Sequence, residues 1–315
     1  MIRRNAILTS VVAAAVLLIG AAGTFAQTDA ELLARAKNLK PHGRNLHLAS
    51  GEAKTPTDGS FRVFLLAGQS NMVGQGQASE FSASQVAKYR KPNPRVLIWA
   101  DDRWQYLVPS GRFGPEVAFA HEMAERWPDQ TIGIIKIAIG GTGICAFESE
   151  WTRKRADRSR DAHKGPLYVE MIESIRDARK VSKFELAGFA WKQGGKDGRN
   201  VELGREYLDN LTKLIADLRR DTGEVNLPAF ICTVLPLEQL KKRLADPGIQ
   251  ARLKTRPGMA DVLVAQSKIE NLVPNTRGVY HNKLPCRADG IHFNTEGQLT
   301  LGRMIADKVE SFYKK

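Results

Sequence analysis

From Phe61 onward, short apolar runs alternate with longer stretches in which apolar residues recur every three or four positions. That is the pattern of strands joined by crossover helices in a parallel sheet. The spacing predicts strands over 62–66, 96–99, 132–138, 186–191 and 229–235. Apolar residues occupy consecutive rather than alternate positions in these runs, which fits strands covered on both faces. Helices are expected over 115–126, 166–181, 203–220, 258–272 and 295–312. Five mainly parallel strands with interleaved helices predict one three-layer α/β/α domain over 61–315. The stretch 237–274 is longer than a plain connection requires and reads as a helical insertion before the last segment.

The chain ahead of this domain has a different pattern. Arg3 and Arg4 precede an apolar run from Ala6 to Ala22, and Thr24-Phe25-Ala26 places small residues three and one before a cut after Ala26. Residues 1–26 read as a secretory signal peptide. The run falls short of the ~20 residues that span a bilayer comfortably, and no second run follows. The expected product is exported, to the periplasm or the medium, without stable membrane insertion; an uncleaved N-terminal anchor is the alternative. Residues 27–60 are polar, with a helical pattern near 29–39 and turns through Pro56, Asp58 and Gly59, and read as a leader or linker.

Composition adds two constraints. With 43% hydrophobic and 26% charged residues the chain is of ordinary globular make-up, which excludes a disordered, collagen-like or coiled-coil protein. Lys and Arg number 47 against 34 Asp and Glu, a net charge of +13, and the signal holds only two of these cations. The bias favours an anionic surface, polymer or substrate. Export removes nucleic acid as a partner. Cys145, Cys232 and Cys286 are too few for a disulfide framework and lack CxxC spacing for zinc. They allow one bridge and one free thiol, with Cys232 read as a buried structural thiol in its apolar strand.

Candidate chemistry begins where the first strand ends. It runs into Gly68-Gln69-Ser70-Asn71-Met72, so Ser70 sits at a strand's carboxyl end, where ligands of open α/β sheets bind. Its hydroxyl is placed as a nucleophile, although Ser70 or Asn71 can equally cap the helix that follows. Far downstream, Asp289 and His292 lie three apart in Asp289-Gly290-Ile291-His292. On one turn a carboxylate at that spacing can orient an imidazole and leave its other nitrogen as a base. The competing reading is a helix-entry turn capped by Asp289. The other histidines, His42, His47, His121, His163 and His281, have no such company and read as surface or structural. No credible metal-ligand cluster is present in the sequence. Two further strand ends offer oxyanion donors: Gly140-Gly141-Thr142-Gly143, and Lys192-Gln193-Gly194-Gly195 with the Gln193 amide.

Taken in order, Gly68-Gln69-Ser70-Asn71-Met72, Gly114-Pro115-Glu116, Gly140-Gly141-Thr142, Trp191-Lys192-Gln193-Gly194 and Asp289-Gly290-Ile291-His292 resemble the blocks of the SGNH hydrolase superfamily. Within it they most resemble the sialate O-acetylesterase-like branch, which includes acetylxylan esterases of the sixth carbohydrate esterase family. The resemblance implies a flavodoxin-like α/β/α fold and metal-free, cofactor-free hydrolysis of acetyl esters on carbohydrate. It makes Ser70 the nucleophile, His292 the base and Asp289 its orienter. It forms the oxyanion hole from the Ser70 N–H, a glycine of the Gly140-Gly141 pair, with Gly141 favoured, and Gln193. Gln69, Asn71, Gly140, Thr142 and Trp191 are then expected to touch substrate. The branch commonly reads His-Gln-Gly-Glu where this chain has Lys192-Gln193-Gly194-Gly195, which bears on acyl or sugar preference.

A basic stretch, Trp151-Thr152-Arg153-Lys154-Arg155-Ala156-Asp157-Arg158-Ser159-Arg160, follows the glycine block. It reads either as a solvated loop or as a basic lip that draws in a uronate-bearing or sulfated glycan, with Trp151 either stacking on a sugar or simply packing. The expected function is an exported serine esterase that removes acetyl groups from carbohydrate. The alternatives are a catalytically silent glycan-binding module, motivated by the altered fourth block, and an enzyme moving acetyl groups between sugars.

Overall fold

The computed structural model describes residues 28–31 and 45–314. The signal peptide read over 1–26, most of the helical pattern at 29–39, and His42 lie outside the described residues. In chain order the strands are β1 (Ala49–Glu52), β2 (Phe61–Gly68), β3 (Gly76–Gln77), β4 (Val96–Ala100), β5 (Arg103–Leu107), β6 (Arg112–Phe113), β7 (Thr131–Ala138), β8 (Glu185–Lys192), β9 (Ala229–Thr233) and β10 (Thr276–Tyr280). The α-helices are α1 (Ser70–Val73), α2 (Ala83–Tyr89), α3 (Glu116–Arg126), α4 (Arg153–Asp157), α5 (Leu167–Val181), α6 (Val201–Thr222), α7 (Leu237–Leu244), α8 (Pro247–Leu253), α9 (Met259–Lys268) and α10 (Thr295–Tyr313).

The main sheet has eight strands in the order β1-β5-β4-β7-β2-β8-β9-β10, not the five expected. The run from β4 to β10 is parallel, while β5 pairs antiparallel with β4 and β1 antiparallel with β5. The three added strands escape the apolar pattern for local reasons. β1 is a polar Ala-Ser-Gly-Glu edge supplied by the stretch read as a leader, β5 is an Arg-Trp-Gln-Tyr-Leu run that mixes polar with apolar residues, and β10 is a short Thr-Arg-Gly-Val-Tyr run. The stretch 237–274 holds α7, α8, α9 and a short 3₁₀ turn at Ile269–Asn271, after which β10 joins the sheet.

Central strands are buried on both faces, and two apolar cores result. One packs Val63, Leu65 and Ile135 against Met171 and Ile175 of α5, Tyr207 and Leu211 of α6, and Val262 of α9. The other packs Phe64, Leu66 and Ile134 against Val117 and Phe119 of α3 and Ile305 and Val309 of α10. Helix boundaries follow local chemistry. The Asn200 side chain accepts from the Leu203 N–H at 2.8 Å to start α6, and Gly223 ends it in the left-handed conformation. Asn294 starts α10 in the same way, accepting from the Gly297 N–H at 3.0 Å. All three cysteines are free, and Cys232 is buried in β9. No helix among the described residues is long and apolar enough to cross a membrane.

Crossovers leave β2 in both directions, toward β4 and β7 on one side and β8 to β10 on the other. Such a reversal opens a crevice outside the carboxyl ends of the strands. The chain leaves β2 at Gln69-Ser70, β7 at Ile139-Gly140-Gly141 and β8 at Gln193-Gly194, so three of the sequence blocks meet at this crevice.

Candidate active site

Gly68 sets the approach of the first block. Its φ is +148°, and a β-carbon there would lie 2.2 Å from the Lys192 carbonyl oxygen, so only glycine lets β2 and β8 end this close together. The Gln69 N–H then donates to the Lys192 carbonyl at 3.0 Å, and Ser70 opens α1. The turn is held from beneath by a buried ion pair. Lys136, in the interior of β7, donates to the Val73 carbonyl at 2.8 Å and to Glu116 Oε2 at 2.7 Å, while Glu116 Oε1 accepts from the Gly114 N–H at 2.7 Å. The Gly-Pro-Glu block therefore anchors the end of α1.

The last block lies against this turn. Asp289 Oδ1 accepts from the Ile291 and His292 N–H groups at 2.8 and 2.9 Å, and Oδ2 lies 2.6 Å from His292 Nδ1. Hydrogen bonds from the His292 backbone, the His292 ring and the Ile291 backbone hold the Asp289 carboxyl well below the usual carboxylate range. An ionised carboxylate only accepts, so in the neutral imidazole Nδ1 carries the proton and Nε2 the lone pair. Asn71 ties the loop to the serine turn: its Nδ2 donates to the Ile291 carbonyl at 3.0 Å and its Oδ1 accepts from the Phe293 N–H at 3.0 Å. Both polar ends of the Asn71 amide are thus engaged by backbone across more than two hundred residues of chain.

Ser70 and His292 line one cavity of about 730 Å³, together with Gln69, Asn71, Gly140, Gly141 and Gln193. No hydrogen bond joins the Ser70 hydroxyl to the His292 ring here; catalytic hydrogen bonds of unliganded sites are often long and tighten on substrate. At the end of β7, Gly141 adopts φ +61°, a conformation strained for any residue with a side chain. Lys164 fixes the peptide orientation. Its ammonium donates to the Gly140 carbonyl at 3.0 Å, the Gly141 carbonyl at 2.7 Å and Thr142 Oγ1 at 3.1 Å, and pairs with buried Asp161 at 2.7 Å. In a trans peptide C=O and N–H point opposite ways, so the Gly141 N–H faces away from Lys164. Among the described residues it has no acceptor.

Three expected contacts are corrected. Trp191 is fully buried, donates its indole N–H to the Tyr207 hydroxyl at 3.1 Å and packs edge-on against Phe147 at 4.9 Å, so it belongs to the core. Thr142 is likewise fully buried, and its hydroxyl donates to the Ile139 carbonyl at 2.9 Å. Gln193 lines the cavity, but its Nε2 faces the Thr142 carbonyl at 2.7 Å and Asp197 Oδ2 at 2.5 Å. An amide nitrogen has two hydrogens, and these acceptors use both, which leaves none for an oxyanion. Asp197 also accepts from the Ile144 N–H at 3.1 Å, and burial pushes its carboxyl up to about 6. Gln193 and Asp197 together brace the β7 and β8 turns against each other.

The basic stretch has a similar internal role. Arg155 pairs with Glu148 at 2.9 Å and Glu206 at 3.1 Å, and Arg158 pairs with Glu206 at 2.6 Å, so these two cations are engaged within the protein. Trp151 is buried and offers no stacking platform. Its continuation supplies Asp161 and Lys164. Sequence reasoning missed those two and His281, which is 6% exposed and lines the cavity. No group of three or more His, Cys, Asp or Glu among the described residues is placed to hold a metal ion.

A family model described as carbohydrate esterase, sialic acid-specific acetylesterase, matches residues 60–311. A probable carbohydrate esterase of Arabidopsis thaliana is 28% identical over 265 residues, spanning 78% of this chain and 88% of that protein. The solved structure of an Arabidopsis thaliana protein superposes with a TM-score of 0.59 at 22% identity, covering 79% of this chain and 98% of that one. NanS superposes at 0.53 with 16% identity, over 82% of this chain and 98% of its own. A carbohydrate acetylesterase from Xanthomonas citri gives 0.52 at 18% identity, over 80% of this chain and 57% of its own. These likenesses carry the fold. The family match runs from the strand before Ser70 into the helix after His292. On that match the chain belongs to the sialic acid-specific acetylesterase family of carbohydrate esterases and is a carboxylic ester hydrolase.

Proposed function

We propose that residues 61–315 form the catalytic unit of an exported serine esterase that removes O-acetyl groups from carbohydrate, released from its signal peptide after Ala26. Ser70 Oγ attacks the acetyl carbonyl while His292 Nε2 takes its proton, and Asp289 holds the ring through Nδ1. The N–H groups of Ser70 and Gly141 receive the developing oxyanion. Collapse of the tetrahedral intermediate expels the sugar alcohol, which leaves with the proton from His292. Water then attacks the acetyl-enzyme by the same route, releasing acetate and restoring Ser70. An acidic acetylated glycan, of the sialate or uronate kind, is the substrate class that suits the charge of the cavity.

The observation that carries this reading is the Asp289–His292 contact of 2.6 Å on a loop that Asn71 fastens to the serine turn. Binding of glycan without turnover by the wild-type protein would favour a silent binding module instead. Ser70→Ala is expected to abolish acetate release from p-nitrophenyl acetate and acetylated xylan with an unchanged melting temperature. Full activity in that variant overturns the mechanism. Mass spectrometry of the exported protein tests the cut after Ala26, and an intact Met1 terminus refutes it.

A further inference from the structure

The charges around the cavity are one-sided. Its walls carry Lys192, Lys196, Arg199, Arg256 and Lys283 and include no Asp or Glu. None of the five is in an ion pair among the described residues, in contrast to Arg155 and Arg158 on the neighbouring loop. Lys192 ends β8 with its ammonium offered one acceptor, the Cys232 carbonyl at 3.4 Å, and with the Phe293 ring 5.9 Å away. An ammonium has three donors, so most of its capacity is unused. His281 meets the same Phe293 ring edge-on at 5.3 Å, and both of its ring nitrogens are buried without a partner. Burial first, and then the Lys192 charge, hold His281 in its neutral form. Burial lowers the pKa of Lys192 as well, and an ammonium and an imidazole left unmatched in a sheltered place are costly unless something completes them.

We infer that Lys192 and His281 form a subsite for an anionic substituent of the acetylated sugar, a carboxylate or a sulfate, bound while the ester faces Ser70. The inference rests on the esterase reading above. Lys192 supplies the charge-assisted donors, and neutral His281 supplies one N–H. Lys196, Arg199, Arg256 and Lys283, nearer solvent, raise the local concentration of such substrates. Gly195 brings no side chain to this wall, so no carboxylate of the protein competes for the ammonium.

The test compares kcat/KM for three acetylated methyl glycosides that differ in one group: glucoside, glucuronide and 6-sulfated glucoside. The wild-type protein is expected to prefer at least one anionic ester over the neutral one by about tenfold or more, the worth of a charge-assisted hydrogen bond. Lys192→Met is expected to lower that ratio about tenfold, chiefly through KM, and Lys192→Arg to restore part of it. Preference for the glucuronide identifies a carboxylate, and preference for the sulfate identifies a sulfate ester. Calorimetry of free glucuronate and free glucose with the wild-type protein supplies a readout that needs no variant to fold. Equal kcat/KM for all three esters, or a preference that survives Lys192→Met, overturns the subsite. Failure of the esterase reading has a different signature, hydrolysis that persists in Ser70→Ala.

Discussion

Lys164 offers a sharp test of how the oxyanion donors are set. Replacing it with Met removes hydrogen bonds of 3.0 and 2.7 Å to the Gly140 and Gly141 carbonyls and frees a peptide flanked by two glycines to rotate. Each charge-assisted bond of this kind contributes about 1.5–3 kcal/mol. Losing an oxyanion donor outright costs about 10²–10³ in kcat. A freed peptide still samples the productive orientation part of the time, so kcat for p-nitrophenyl acetate is expected to fall about tenfold to hundredfold, or ~1.4–2.7 kcal/mol. KM should move by less than about threefold, because the ground-state carbonyl gains little from these donors. One complication is built into the site. Asp161 is fully buried, and removing its partner from a buried pair costs about 3–5 kcal/mol of stability. Kinetics are therefore read in Lys164→Met/Asp161→Asn, where the orphaned charge is gone and the Gly143 N–H keeps an acceptor. Lys164→Arg should recover part of kcat. Wild-type kcat in the folded double variant refutes the proposed control of the peptide.

Other outcomes follow from the same geometry. Asn71→Ala removes both clamps on the His292 loop and should lower kcat about tenfold to hundredfold, as small misplacements of catalytic groups do; kcat within twofold of wild type speaks against the clamp. Lys136→Met strands buried Glu116 and should remove about 3–5 kcal/mol of stability in urea titrations, with much of it returned by adding Glu116→Gln. Burial lowers the pKa of His121 from 6.5 to about 4, so the folded protein resists a proton that the unfolded chain accepts. About 3 kcal/mol of stability present above pH 6.5 is thus lost as the pH falls toward 4. Replacing His121 with Leu should flatten that part of the urea profile, and an unchanged slope contradicts the assignment.

The parallel core was legible in the sequence because strands covered on both faces leave unbroken apolar runs, and β2, β7 and β8 have them. Edge strand β1 loses that signal because its positions meet water and admit polar residues, and β5 beside it interleaves Arg103 and Gln105 with Trp104, Tyr106 and Leu107. The Asp289–His292 pair was visible for a different reason: its spacing is local, so one turn suffices to join the two side chains. Lys164 and Asp161 are also three apart, but the groups they hold, at Gly140, Gly141 and Gly143, lie about twenty positions upstream, and His281 meets Lys192 and Phe293 from other elements, so no local pattern announces their roles. Lys164 was further hidden by a run of cations, of which Arg155 and Arg158 pair with Glu148 and Glu206. Trp191 was misread because a strand end presents neighbouring side chains to opposite faces. Trp191 enters the core there, and its neighbour Lys192 lines the cavity instead.

The bonds from Asn71 to Ile291 and Phe293 also bear on when the enzyme starts to work. A nascent polypeptide emerges with its serine long before its imidazole, and the latch between them cannot shut until nearly the whole chain has been made. Fragments interrupted anywhere in that interval would carry the proposed nucleophile without its proposed base. On the proposed mechanism, acetate release would then report that the chain has been made through His292.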